Sequence, residues 1–146
     1  MPCVSTRKRF PMPTASAVSR LLKLNLEVAD FSSFVPFIRS GFSRKCFDEF
    51  LSATTIASAI MQLSAFKNLA EDSKDLTPEA SDCLLRIARV YAEALELFVN
   101  KTDVAQWMVT KSLTLGDQSP LELLDTTVGF ELVYQELRRL QYGIAG

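Results

Sequence analysis

The residues of this sequence that could do chemistry are each constrained by what is missing beside them. Glu93 and Glu96 stand three apart in RVYAEALELF, so on a helix they share a face, as the carboxylates of a di-iron site do. Such a site completes its shell with an ExxH pair, and the chain contains no histidine. The same absence removes the commonest general base, the commonest zinc ligand and every Ser-His or Cys-His nucleophile pair. Left without partners, the two glutamates read as charges on a solvated helix face. The cysteines, Cys3, Cys46 and Cys83, have no CxxC spacing and are odd in number, which fits free thiols in a reducing, cytoplasmic compartment. Cys83 reads as a small apolar helix residue and Cys3 as an exposed terminal thiol. No GxGxxG, P-loop or GxSxG motif occurs. The expectation is a protein with no catalytic residues, no metal ligands and no cofactor, one that acts by binding.

What it binds is constrained first by charge. Residues 1–50 carry eight basic and four acidic groups, whereas the remainder carries eight basic and thirteen acidic groups. Contact with nucleic acid is therefore expected from the N-terminal half, where Arg7, Lys8, Arg9, Arg44, Lys45 and Lys67 are the candidates. The first residues, MPCVSTRKRFPMPTASAVSRLLKL, have a basic start but no unbroken apolar run, so they read as a mobile basic arm over 1–20 and not as a secretory signal. No run reaches the roughly 18 apolar residues of a membrane span. At the other end, Arg138 and Arg139 complement a helix C-terminus, and Tyr142-Gly143-Ile144-Ala145-Gly146 follows without a charged side chain.

The elements that must position these residues are all helical. SRKCFDEFLSA places Phe47, Phe50 and Leu51 at i, i+3, i+4, and TTIASAIMQL and AFKNLAED follow after short breaks. That arrangement describes a helix-turn-helix and equally any small αα corner. Thr77 as N-cap, Pro78 at N1 and Glu79 just inside open a helix expected over 78–99, with Leu84, Ile87, Ala88, Tyr91, Leu95 and Phe98 as its apolar stripe. Asn100 and Lys101 break it, and Thr102-Asp103 begins a short helix carrying Trp107, read as a core anchor. Ser119-Pro120-Leu121-Glu122 is a capping box with proline at N1. The last helix presents Val128, Phe130, Val133, Tyr134, Leu137 and Leu140 as its buried stripe. Gly129 turns its beginning, and Gly143 ends it as a C′ glycine with Ile144 packing back. The fold class is all-α.

One stretch goes further than its periodicity. LTPEASDCLLRIARVYAEALELFVNKTDVAQWMVTKSLTLGDQSPLELLDTTVGFELVYQELRRLQYGIAG, residues 76–146, resembles the toxin-binding domain of Xre/MbcA/ParS-type antitoxins. The likeness runs through the LTPEASDCLLRIARV entry, the tryptophan followed by a Leu-Gly turn, and SPLELLDTTVGFELVYQELRRLQYG, in that order.

The resemblance implies an organisation of a basic arm (1–20), an Xre-like helix-turn-helix and dimerisation lobe (21–76) and a toxin-binding lobe (77–146). It implies a cytoplasmic antitoxin without catalysis, whose partner is a RES-type toxin (ParT- or MbcT-like) that consumes NAD or transfers ADP-ribose from it. A homodimer within a larger complex and operator DNA are the other implied partners; a membrane is not. The toxin-facing residues it implies are Arg138, Arg139, Gln141, Tyr142, Gly143, Ile144, Ala145 and Gly146. The Gly146 carboxylate would take the place of an anion in the NAD pocket, and one arginine would meet a toxin carboxylate. The front lobe departs from the family pattern, because Glu71 and Asp72 stand where basic residues would face phosphate. A stand-alone repressor whose C-terminal half only dimerises is the alternative.

Overall fold

Helix α5 (Pro78–Phe98) opens as its sequence requires: the Ala80 N–H donates to Thr77 Oγ1 at 3.0 Å, and Pro78 fills the first turn, where no intrahelical donor is needed. The structure is a computed structural model and describes residues 15–24, 30–69 and 75–145. Among them, eight α-helices and short 3-10 turns make an all-α fold. None of these helices is long and apolar enough to cross a membrane.

The stripe expected on α5 is only part of what it buries. Cys83, Leu85, Val90, Ala92 and Ala94 are buried as well as Leu84, Ile87, Ala88 and Tyr91, so the helix is enclosed nearly all round. Its alanines let neighbours approach closely, and each large side chain removed from water contributes roughly 1.5–3 kcal/mol. Helices α1 (Ala15–Leu21), α2 (Val35–Ser40), α6 (Lys101–Val109) and α8 (Thr127–Ala145) all pack on it, as does the 3-10 turn Ser64–Leu69. One apolar core runs from Val18, Phe47 and Phe66 to Val133 and Leu137, so the two expected lobes share it.

The front half differs from expectation in two places. Residues 15–20, assigned to a mobile arm, are helical, with Val18 fully buried and Leu22 just beyond the helix buried too, because an apolar i, i+4 pair found a wall on α5. The stretch that would supply the second helix of a helix-turn-helix forms a 3-10 turn over Ser64–Leu69, and residues 70–74 lie outside the described residues. Before it, α3 (Arg44–Thr54) is capped by Ser43, whose Oγ accepts from the Cys46 N–H at 3.1 Å, and α4 (Ala57–Met61) follows. Phe47 stacks on Phe66 at 5.1 Å and Phe50 meets Tyr91 edge-on at 6.4 Å, which joins α3 to the centre. Gly41 has φ +90°, and a Cβ there would lie 2.0 Å from the Leu76 carbonyl oxygen, so only glycine fits.

The chain breaks between α5 and α6 at Val99 and Asn100 as expected, but Lys101 already belongs to α6, which Asn100 caps by accepting from the Asp103 N–H at 2.9 Å. Trp107 is half-buried against Phe98 at 5.7 Å, partly filling the anchor role. The capping box forms as read: the Glu122 N–H donates to Ser119 Oγ at 3.2 Å and the Ser119 N–H to Glu122 Oε1 at 2.9 Å. It opens α7 (Pro120–Leu123).

The end of α7 is held by a residue the sequence did not single out. Arg86 on α5 donates from Nε to the Leu124 carbonyl at 2.8 Å and from Nη2 to the Asp125 carbonyl at 3.2 Å, while Nη1 pairs with Asp82. Arg86→Ala leaves these carbonyls short of a charged donor where α7 turns into α8. It should lower stability by about 2 kcal/mol, measured by thermal or urea unfolding followed by circular dichroism, with Lys recovering less than half of the loss.

Candidate functional site

Helix α8 begins under two local constraints. Thr126 Oγ1 accepts from the Gly129 N–H at 2.9 Å, capping the helix. Gly129 then lies so close to α7 that a Cβ would sit 1.8 Å from the Leu123 carbonyl oxygen. It does not interrupt the helix; it lets α7 and α8 meet at this corner.

From there α8 turns one face inward. Val133 and Leu137 are fully buried, Phe130 and Tyr134 pack on the core, and their rings lie 4.7 Å apart. Val128 does not join them: it is 66% exposed. At about 100° per residue it points opposite Leu137.

The interface between α8 and α5 is polar at one point. The Arg89 guanidinium lies 4.2 Å from the Phe31 ring centroid and 4.9 Å from that of Phe130, a cation between two aromatic faces. One helical turn on, Glu93 is only 3% exposed. It is therefore not the solvated charge its helical spacing suggested; Glu96 is exposed as expected. Burial pushes the Glu93 carboxyl up to about 7, against the opposing pull of Arg138 and the Tyr134 hydroxyl, with Glu96 adding to the rise. Burial likewise pushes Tyr134 up to about 12. Among the described residues, Glu93 Oε1, Arg89 Nε and Tyr134 Oη have no hydrogen-bond partner of ordinary geometry. No cluster of three or more metal-ligating side chains occurs among the described residues.

The outward face of α8 carries the expected partner-facing residues unevenly. Arg139 is already engaged: Nε donates to Glu136 Oε1 at 3.1 Å and Nη2 to Oε2 at 2.6 Å, from an exposed guanidinium to a nearly buried carboxylate. Arg138 sits on a different side, with its charge near Glu93. Gln141 is half-buried, whereas Tyr142 and Gly143 are exposed. Gly143 does not end the helix, which continues through Ala145 because nothing at 143 forces a left-handed turn. The side chains of Ile144 and Ala145, and all of Gly146, lie outside the described residues.

The basic candidates of the front half divide similarly. Arg7, Lys8 and Arg9 lie outside the described residues, and Lys45 and Lys67 are exposed. Arg44 is half-buried, bonded to Asp48 at 3.2 Å and to the Leu69 carbonyl at 2.5 Å, so its guanidinium serves the fold. Sequence reading missed Arg89, Glu136 and Leu132. The i, i+3 charge pair at 136 and 139 and an apolar residue at an outer position were visible signals for the last two; Arg89 had none.

Exposed apolar side chains are distributed with a bias. Val99, Val109, Leu113, Val128, Leu132 and Tyr142 all fall in the C-terminal third, and Val35 is the one large exposed apolar residue elsewhere among the described residues. A helical domain that carries nearly all of its exposed large apolar residues in the C-terminal third of its sequence has the pattern of a protein-binding module. Residues 93–143 match the model of the antitoxin Xre/MbcA/ParS C-terminal toxin-binding domain. The chain is also 31% identical over 150 aligned positions to a protein named antitoxin Xre from Yersinia enterocolitica, covering 94% of this chain and 98% of that relative. It belongs to the Xre/MbcA/ParS family of antitoxins.

The buried glutamate makes stability depend on pH in a defined sense. Its folded value near 7 lies above the ordinary 4.5, so the folded state holds the proton more tightly than the unfolded chain. Stability is therefore greatest below the ordinary value and falls as pH rises through 7, by on the order of 2 kcal/mol for this group. Glu93→Gln should raise the melting temperature at pH 8, change it little at pH 5, and flatten the slope between; calorimetry across that range measures it.

Proposed function

We propose that this antitoxin neutralises a RES-type toxin, one that consumes NAD or transfers ADP-ribose, by laying the end of α8 into the toxin's active site. The observation that carries the reading is that α8 outruns the core. Its last fully buried residue is Leu137, yet the helix continues through Ala145, with Tyr142 66% exposed and, beyond its chain neighbours and the nearby helix backbone, nothing within 4 Å of where a Gly143 Cβ would be. A projecting end with a small residue at its surface suits entry into a narrow slot. The plug is thus a helix end, not the flexible tail expected after a C′ glycine. The likeness of residues 76–146 to the toxin-binding domain of antitoxins supports the identity of the partner.

Removal of residues 142–146 tests this directly. The truncated chain should keep its melting temperature within about 2 °C, since little buried surface is lost, and fail to rescue growth when co-expressed with the toxin. Rescue by a folded truncation overturns the plug.

We extend the proposal to the operon's own DNA. The cations available for it are Arg7–Arg9 with the exposed Lys45 and Lys67, and Arg44 drops out because its donors are used within the fold. Few phosphate contacts and no array of base-reading side chains imply weak binding that weakens further with salt. Gel shifts on the promoter fragment should show loss of binding when residues 1–14 are removed. Tight, sequence-specific binding by the shortened chain would instead favour a stand-alone repressor.

A further inference from the structure

The outer face of α8 is more ordered than a solvated helix face needs to be. Val128, Leu132, Gln135, Arg139 and Tyr142 fall within an arc of about 80° and span roughly 20 Å of helix. Val128, Leu132 and Tyr142 are exposed apolar residues, so α8 has a second apolar stripe opposite the one it buries on α5. Single exposed apolar residues are ordinary; an aligned set along one helix face is the pattern of a helix that enters a groove.

The middle of the stripe is polar in a particular way. Glu136 is nearly buried and uses both oxygens on Nε and Nη2 of Arg139, at 3.1 and 2.6 Å. This pairing occupies the side edge of the guanidinium and leaves the end edge, Nη1 and the second Nη2 hydrogen, facing outward. A carboxylate kept at this depth loses hydration, and the pair gains direction in return. The long arginine side chain is held in one pose before any partner arrives, which reduces the entropy lost on binding. If Arg139 swung away to meet a partner, Glu136 would remain nearly buried without its cation, so the fork stays closed. The pair is neutral as a whole, and its open edge suits carbonyl oxygens better than a second carboxylate.

We propose that this stripe is a preorganised docking face for the toxin. Val128, Leu132 and Tyr142 seat in an apolar groove, and Arg139 donates from its open edge to backbone carbonyls at the groove's centre. Glu136 is the residue that positions it. The proposal rests on the toxin-binding reading above but places much of the affinity on the side of α8 and not on its end. It differs from the expectation that an arginine here meets a toxin carboxylate. Toxin is the occupant argued for, because the stripe from Val128 to Tyr142 lies wholly within residues 93–143, the span that matches the toxin-binding domain model.

The test uses the full chain and its purified cognate toxin, with dissociation constants measured by biolayer interferometry. Val128→Asp and Leu132→Asp should each raise the dissociation constant roughly 30-fold or more, with melting temperatures unchanged because both side chains already face water. Glu136→Gln should raise it about tenfold, and that effect should vanish in an Arg139→Ala background, as expected of a residue acting through another. The Arg139 contribution should vary little between low and high salt; a steep dependence means a carboxylate partner and overturns the carbonyl assignment. Wild-type affinity in both Asp variants overturns the docking face, and so does a loss of self-association in place of toxin binding, which assigns the stripe to a second copy. A wild-type chain that does not bind the toxin overturns the functional reading itself, which separates the two failures.

Discussion

Everything in this fold depends on α5 being enclosed on nearly all sides. A surface helix needs one apolar stripe, but here Cys83, Leu85, Val90, Ala92 and Ala94 extend the buried surface around the axis. Four other helices and a 3-10 turn each lose apolar area against it, so their positions are set relative to one rod and only weakly by one another. That is why a core can run from Val18 near the N-terminus to Leu137 near the C-terminus in a chain of short elements. It is also why the front and back of the molecule are hard to treat as separate units: the Phe42 N–H donates to Ser81 Oγ at 2.8 Å across the expected boundary, beside the Leu76 N–H, which donates to the Phe42 carbonyl at 2.9 Å.

The second fixed point is the corner between α7 and α8. Three local devices meet there: the Ser119–Glu122 capping box, the Arg86 guanidinium on the Leu124 and Asp125 carbonyls, and the missing Cβ at Gly129. The capping box orients the incoming turn, and the arginine satisfies carbonyls that the end of a four-residue helix leaves without donors. Gly129 lets the next helix start in contact with the previous one. Together they aim α8 along α5, and the direction of α8 decides which of its residues face a partner.

How legible each feature was in the sequence follows from how local its cause is. The caps at Thr77 and Ser119, and the proline after each, involve partners within a turn, so they could be read directly and the structure has them where they were read. Val128 was assigned to the wrong face because its apolarity fits either stripe of α8, and only the approach of α5 decides between them. Glu93 was read as solvated for the converse reason: nothing in its neighbours along the chain announces that α8 will cover it. Gly143 looked like a helix stop, yet glycine only permits a left-handed turn, and without a packing partner the helix continues. The Arg139 fork was half legible, since an i, i+3 pair of opposite charges can be seen in sequence but the burial of Glu136 cannot.

The two faces of α8 are unlike in a way that bears on function. The inner face contains Val133 and Leu137, but beside them Glu93 Oε1, Arg89 Nε and Tyr134 Oη make no hydrogen bond of ordinary geometry, although the Tyr134 hydroxyl acts on the Glu93 carboxyl and Arg89 on Tyr134. A buried polar group held in poor geometry costs up to about 1–3 kcal/mol relative to a satisfied one. Apolar residues at 93 and 134 would hold α8 against α5 more firmly, so the observed interface is not built for maximum stability. A helix docked through a compromised interface opens more readily than the rest of the core. A partner that binds only the docked form then stabilises the whole chain in proportion to its concentration over its dissociation constant. The outer face, in which Arg139 is fixed by Glu136, keeps its arrangement only while α8 is helical and in place, so it depends on an inner interface that falls short of its attainable stability.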